Sequence, residues 1–191
     1  MLATSNPNKV REIRSILGHV PYELVGLEQF PPIAPPEEDG QTFEENARLK
    51  ALAYARATGA LVVAEDSGLE IDALGGAPGV QSARYGGADA TYPQKFALIA
   101  DALRARGAAG SRARFVCALA LARGADVLFE TRGTVEGEIA SHARGTGGFG
   151  YDPIFFYPPY GRTLGEASAE EKAAVSHRGK AFMALRRYLV G

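Results

Sequence analysis

The sequence predicts an α/β fold: a mixed, partly antiparallel, elongated sheet flanked by helices, in one domain over residues 1–191 with two lobes around a central cleft. Three observations lead to the mixed sheet and the single domain, and leave one or two lobes open. Helical and strand-like periodicities alternate over roughly the first hundred residues, and a hairpin-rich stretch of β-branched and aromatic residues follows. The chain, 191 residues with 46% hydrophobic and 23% charged, also has the length and composition of one well-buried core.

The elements follow in order. After a very short apolar start at Leu2-Ala3, Thr4-Ser5-Asn6-Pro7 reads as a helix entrance, with Asn6 as N-cap and Pro7 at the first helical position. Val10, Ile13 and Leu17 recur at helical spacing until Gly18, and Tyr22 to Leu27 reads as a strand, giving β-α-β order. Pro31 to Pro36 excludes regular structure and runs into the acidic Glu37-Glu38-Asp39, a loop expected over the cleft. Thr42 and Glu45 form a T-x-x-E capping box for a helix reaching about Thr58, where Gly59 stops it.

Leu61-Val62-Val63-Ala64 reads as a buried strand that delivers Glu65-Asp66-Ser67-Gly68 at its end. Strands at Leu69 to Leu74 and Val80 to Tyr85 follow, separated by the turn-former Gly75 to Gly79. A helix from about Thr91 to Arg106 places Phe96, Ile99 and Leu103 on one face. Arg114 to Ile139, broken at Gly124-Ala125-Asp126, reads as an antiparallel pair, and a glycine-aromatic run from Gly145 to Phe156 comes next. The last helix takes Ser176 as N-cap and aligns Phe182, Leu185 and Leu189.

Charge narrows the function. Lys plus Arg total 21 against 22 Asp plus Glu, a net charge of -1, so no global basic field exists to hold a nucleic-acid backbone; a small anionic ligand needs local charges only. The single cysteine, Cys117, lies in an apolar run and reads as a small buried residue, which excludes disulfide frameworks and cysteine-based zinc sites. No stretch approaches about 18 uninterrupted apolar residues and no charged-then-apolar leader opens the chain, so a soluble cytoplasmic protein without membrane partners is expected.

Several groups carry chemistry. The helix entrance Thr4-Ser5-Asn6-Pro7-Asn8-Lys9 offers free amides and a positive dipole end to an anion. Lys9 in the first turn is unfavourable to that dipole unless an anion bridges the two, which points to phosphate; an ordinary capped surface helix is the alternative, and the P-loop pattern is absent. Lys50 falls beside Phe43, Ala47 and Tyr54 on the face that should be buried, so either its stem snorkels outward or its ammonium meets charge inside a cleft. Asp66, at the carboxyl end of a strand, could hold a hard cation or accept a proton, with Ser67 adding a hydroxyl; a plain Asp-Ser-Gly turn is the bland alternative.

Glu38 is a candidate second metal carboxylate, and Lys172, His177 and Arg178 are candidate phosphate or base contacts, against solvated helix positions for all three. The Gly145 to Phe156 run, with Phe149, Gly150, Tyr151 and Asp152 at its centre, suits a nucleobase platform and equally a hairpin whose two aromatics pack inward. His19 and His142 have no chemical context and read as surface residues.

Taken together, Thr4-x-Asn6-x-x-Lys9, Thr42-Phe43-x-Glu45-Asn46-Ala47, Glu65-Asp66-Ser67-Gly68-Leu69, Leu74 to Gly79, Ser82-Ala83-Arg84-Tyr85, Gly145 to Phe155, and Glu171-Lys172 with Ser176-His177-Arg178-Gly179 resemble the inosine/xanthosine triphosphate pyrophosphatase family, in order and nearly end to end. The resemblance implies hydrolysis of the non-standard purine nucleotides ITP, dITP and XTP between the α- and β-phosphates, giving monophosphate and pyrophosphate and cleansing the nucleotide pool. It implies that Thr4 to Lys9 hold the triphosphate, that Glu38 and Asp66 bind Mg2+ with Asp66 as proton acceptor, and that Lys50 faces the phosphates.

The same resemblance implies that Ser67, Phe149, Gly150, Tyr151, Asp152, Lys172, His177 and Arg178 contact the nucleoside, with Arg84 a further contact, and that the protein is a homodimer. Glu38 is chosen over Glu37 and Asp39 by counting back from Thr42-Phe43, and Ser5 stands where glycine is frequent in the family. Two other readings are a pyrophosphatase acting on general or modified pyrimidine triphosphates, and a purine nucleotide sensor without hydrolysis. Retention of Lys50 and Asp66 together argues against the sensor.

Overall fold

The structure is a computed structural model that describes residues 1–18, 20–108 and 110–191; the expectation for His19 falls outside them. Helix α1 (Pro7–Leu17) begins where Asn6, in extended backbone, accepts the amides of Asn8 (3.0 Å) and Lys9 (3.4 Å) through Oδ1, with Pro7 at the first helical position and Gly18 closing the end. Helix α2 (Phe43–Thr58) opens with the reciprocal pair foreseen in the sequence: Thr42 Oγ1 accepts the Glu45 amide (3.1 Å) and Glu45 Oε2 accepts the Thr42 amide (3.2 Å). Its buried face carries Phe43, Asn46, Ala47, Ala51, Tyr54 and Ala55.

Strand β1 runs from Leu61 to Ile71 without a break, where the sequence predicts two strands with Glu65-Asp66-Ser67-Gly68 at the end of the first. Asp, Ser and Gly favour turns because their side chains bond the local backbone. Here Asp66 and Ser67 are engaged instead by side chains of other elements, and the backbone stays extended. Asp66 therefore sits in the middle of a strand rather than at its carboxyl end.

Helix α3 (Tyr92–Ala105) buries Ile99 and Leu103 with Phe96 packed alongside; β2 (Arg112–Arg123) and β3 (Asp126–Ile139) follow. Short strands β4 (Phe155–Tyr157) and β5 (Arg162–Thr163) precede helices α4 (Ala169–Val175) and α5 (His177–Val190). The five-stranded sheet has the order β1-β2-β3-β4-β5. Strands β3 and β4 pair antiparallel with Glu138 opposite Phe156, and β4 and β5 pair antiparallel with Phe156 opposite Thr163.

Parallel pairing enters through Leu2, which bridges Gly26 and Val63. The expected strand at Tyr22 to Leu27 is reduced to that bridge, because a 3-10 turn takes over at Leu27–Gln29. Val80 to Tyr85 is likewise not a strand: the amides of Gln81, Ser82 and Arg84 bond carbonyls three residues back, at Pro78, Gly79 and Gln81, which winds the segment into tight turns. Helix α4, capped by Ser168 and Glu171, is an element the sequence reading lacks.

The chain divides into two compact units. The first comprises Met1–Ser67, Cys117–Gly133 and His177–Gly191, and its core gathers Leu2, Ile13, Leu17, Val63, Cys117, Leu119, Phe182 and Leu185. Within it α1 packs on α5, and Gly133 is where the chain passes so close to the His177 carbonyl that a Cβ has no room. The second comprises Gly68–Val116 and Thr134–Ser176, with a core of Leu69, Ile71, Ile99, Leu103, Phe115, Tyr151, Ile154, Phe155 and Leu164. Among the described residues no helix is long and apolar enough to cross a membrane.

Candidate active site

In the first unit, α2 turns Lys50 toward β1, and the loop before α2 brings Glu38 to meet it. Lys50 Nζ donates to Glu38 Oε2 at 2.9 Å and to Asp66 Oδ1 at 3.3 Å. Of the two sequence alternatives for Lys50, the side chain takes the inward one: it is 12% exposed and its ammonium lies between two carboxylates. Glu38 is half-buried while its neighbours Glu37 and Asp39 are exposed. Asn46, on the same helix face, donates to Asp66 Oδ2 at 3.2 Å and accepts the Gly40 amide at 2.9 Å, tying the acidic loop to the strand.

Burial raises the Asp66 carboxyl above its ordinary pKa; Lys50 pulls it down, while Glu38 and Glu65 add to the rise. For Lys50, burial works to lower the pKa, but Asp66 and Glu38 outweigh it and hold the ammonium above its ordinary value. The result is a carboxylate closer to neutral working pH beside a secured positive charge, which suits proton acceptance from water.

No group of three or more His, Cys, Asp or Glu able to hold a metal ion is found among the described residues. What is present is a pair of carboxylates, Glu38 and Asp66, converging on one positive charge. An all-oxygen pair of this kind fits a hard cation such as Mg2+, which takes one or two protein carboxylates and completes its shell with phosphate oxygens and water.

The helix entrance has the expected cap, but its amides are not free: the Thr4 hydroxyl accepts the Asn6 amide at 3.2 Å, Asn6 Oδ1 those of Asn8 and Lys9, and the Asn6 carbonyl that of Val10 at 3.0 Å, with Ser5 and Pro7 exposed. Lys9, however, meets a protein anion: Nζ lies 2.6 Å from Glu65 Oε1. Glu65 is buried and also faces the Arg178 guanidinium at 3.6 Å and the Cys117 thiol at 3.3 Å. Burial works to raise its pKa, yet Lys9 and Arg178 prevail and hold the carboxyl well below the usual range.

Arg178 is not in a solvated first turn but 2% exposed, donating to Glu12 Oε2 (2.7 Å) and to Ser67 Oγ (3.1 Å). His177 is buried beside it. Glu65 and Asn46 lie within sequence motifs that assign them no role, and Glu12 lies in none. The signals available were a second acid next to Asp66 in a buried strand, and an asparagine on the apolar side of α2.

In the second unit, the glycine-aromatic run folds around Asp152. Asp152 Oδ2 accepts the Phe149 amide at 2.8 Å and the Lys172 ammonium at 2.6 Å, and Gly148, at φ +67°, turns where a side chain has no room beside that carboxylate. Lys172 is buried rather than spread on a solvated helix face, and its ammonium stands 4.3 Å from the centre of the half-buried Phe149 ring. The two aromatics take different parts. Tyr151 belongs to the core, edge-on to Tyr92 at 5.3 Å with its hydroxyl donating to the Ser82 carbonyl at 2.8 Å. Phe149 and Gly150 are less buried than Tyr151 and Asp152, and Arg84 bonds Gln81 through Nε at 2.6 Å.

Comparison with known proteins places the chain. A dITP/XTP pyrophosphatase of Syntrophobacter fumaroxidans is 48% identical over 187 residues, covering 98% of this chain and 80% of that protein. One of Thermus thermophilus is 48% identical over 185 residues, covering 97% and 88%. Among solved structures, a HAM1 protein from Coxiella burnetii superposes with a TM-score of 0.90 at 41% identity, covering 98% of this chain and 96% of the other. The Staphylococcus aureus Ham1 protein superposes with a TM-score of 0.88 at 38% identity, again over 98% and 96%. With relatives this similar over almost the whole length, and a family model matched across residues 1–188, the chain belongs to the Ham1 family.

Proposed function

We propose that this protein hydrolyses the non-standard purine nucleoside triphosphates ITP, dITP and XTP to the monophosphate and pyrophosphate. The observation that carries the reading is the Glu38-Lys50-Asp66 arrangement, in which a carboxylate raised by burial shares a fixed ammonium with a second acid. The names of relatives nearly half identical over the whole chain support it.

Bound at Glu38 and Asp66, Mg2+ supplies Lewis acidity and charge neutralisation. The chain does the rest. Asp66 takes a proton from the attacking water, its raised pKa bringing it closer to a useful base strength. Lys50 and Lys9 set positive charge against phosphoryl oxygens and, with the positive dipole end of α1, against the charge that gathers on the leaving pyrophosphate.

Base selection falls to Phe149, with Lys172 and Asp152 behind it, and to His177 and Arg178. Polar groups matched to a 6-keto purine leave a donor unpaired against adenine, a mismatch able to discriminate by about 10⁴ to 10⁵. Homodimer formation is proposed with this, supported by large apolar side chains left exposed, among them Leu98, Leu128, Met183 and Val190. The cytoplasm, where the nucleotide pool is used, is its proposed location.

Product analysis with dITP and Mg2+ tests the reading. Wild type is expected to release pyrophosphate, and Asp66→Asn to lose turnover by about 10² to 10⁴, the usual worth of a positioned base. Near-normal activity of Asp66→Asn, or orthophosphate as the product, would refute it.

A further inference from the structure

The buried carboxylate of Glu65 has no task in the reaction described above, yet residues assigned to substrate converge on it. Lys9 Nζ lies 2.6 Å from Oε1, the Arg178 guanidinium 3.6 Å away, and Arg178 in turn donates to the Ser67 hydroxyl at 3.1 Å. One buried anion thus touches a cation on the first turn of α1 and a cation on the first turn of α5. Through the second it reaches the residue beside Asp66 on β1. The side chains of Glu65 and Arg178 are 2% exposed, while that of Lys9 keeps 20%.

A carboxylate is a costly way to fill core volume, because charge taken out of water must be recovered through well-placed partners. Glu65 recovers it from two cations that the functional reading places on the nucleotide. An ammonium has three donors, so an ion pair with Glu65 leaves Lys9 donors for phosphate oxygens, with its flexible stem held from the buried side.

We infer that Glu65 is a positioning residue, which fixes Lys9 for the triphosphate and Arg178 with Ser67 for the nucleoside. This rests on the proposed hydrolysis of purine triphosphates. A carboxylate serving only the stability of the first unit predicts something different: its removal reduces the folded fraction and lowers kcat, leaving substrate affinity and base preference alone.

The test compares wild type and Glu65→Gln in steady-state hydrolysis of dITP and dGTP, with inorganic tripolyphosphate as inhibitor and circular dichroism to confirm folding. The variant is expected to raise KM for dITP and the inhibition constant of tripolyphosphate about tenfold or more, with a smaller change in kcat and a reduced preference for dITP over dGTP. Unchanged KM, inhibition constant and preference overturn the inference while leaving the functional reading intact. A wild type that releases no pyrophosphate from dITP overturns that reading instead. Should Glu65→Gln fail to fold, Glu65→Asp carries the same test, since it keeps the charge but withdraws it from Lys9 by one methylene.

Discussion

At Asp66 the burial that favours catalysis works against folding. Its pKa is raised in the folded protein, so its contribution to stability is present below the unfolded value and is lost as pH rises through the folded one. At neutral pH the ionised side chain therefore stands in the folded state at a disadvantage. Asparagine removes the charge but keeps one acceptor oxygen where Asp66 offers Lys50 and Asn46 one each, so the sign is read from pH dependence. The stability of wild type relative to Asp66→Asn is expected to fall as pH rises from acid toward neutral in thermal denaturation, and a difference that grows over that range would contradict the sign. Lys50 is visible in the sequence because a lysine on an apolar helix face breaks a local rule, and Asp66 because a carboxylate expected at the carboxyl end of a strand stands where ligands gather. Glu65 lies next to Asp66 in the same segment, but its partners come from α1, β2 and α5, and no spacing along the chain brings those together.

Elements whose ends are written in local chemistry were the most legible. Asn6 and Pro7 open α1, Thr42 and Glu45 open α2 and Gly59 closes it, as their residue types require. The α2 cap also reaches beyond its helix: Glu45 Oε2 accepts the Gln41 amide at 2.7 Å, in the loop that carries Glu38. Thr42→Ala is expected to cost about 1 kcal/mol, seen as a fall of roughly 2–4 °C in melting temperature for a chain of this size. An unchanged melt would remove the cap from the account. Where the sequence misled, tertiary partners decided the outcome. Asp66 and Ser67 carry turn chemistry but spend their side chains on Lys50, Asn46 and Arg178, so β1 runs straight through. The fate of Lys172 was set by Asp152, 20 residues earlier, and no helical periodicity reports that pairing.

At the scale of the molecule, neither compact unit is one continuous stretch of chain, and β1, β2 and β3 each supply residues to both. Acid resistance follows from the charges held inside the first unit. Glu65 has its folded pKa depressed, so its stabilisation is present above the unfolded value and is lost only as pH falls through the folded one, well below the ordinary carboxylate range. In chemical denaturation, the stability difference between wild type and Glu65→Gln is expected to be widest at neutral pH and to narrow in strong acid; a difference independent of pH would contradict the pairing. The unbroken course of β1 has a further consequence. Successive residues of a strand point to opposite sides, so Glu65 and Asp66, adjacent in sequence, are dealt one to each face. Inserting or deleting a single residue upstream within β1 would exchange their surroundings, sending the reactive acid among Lys9 and Arg178 and the silent one toward Lys50. Natural length variation is therefore expected in the loops around β1 and not inside it.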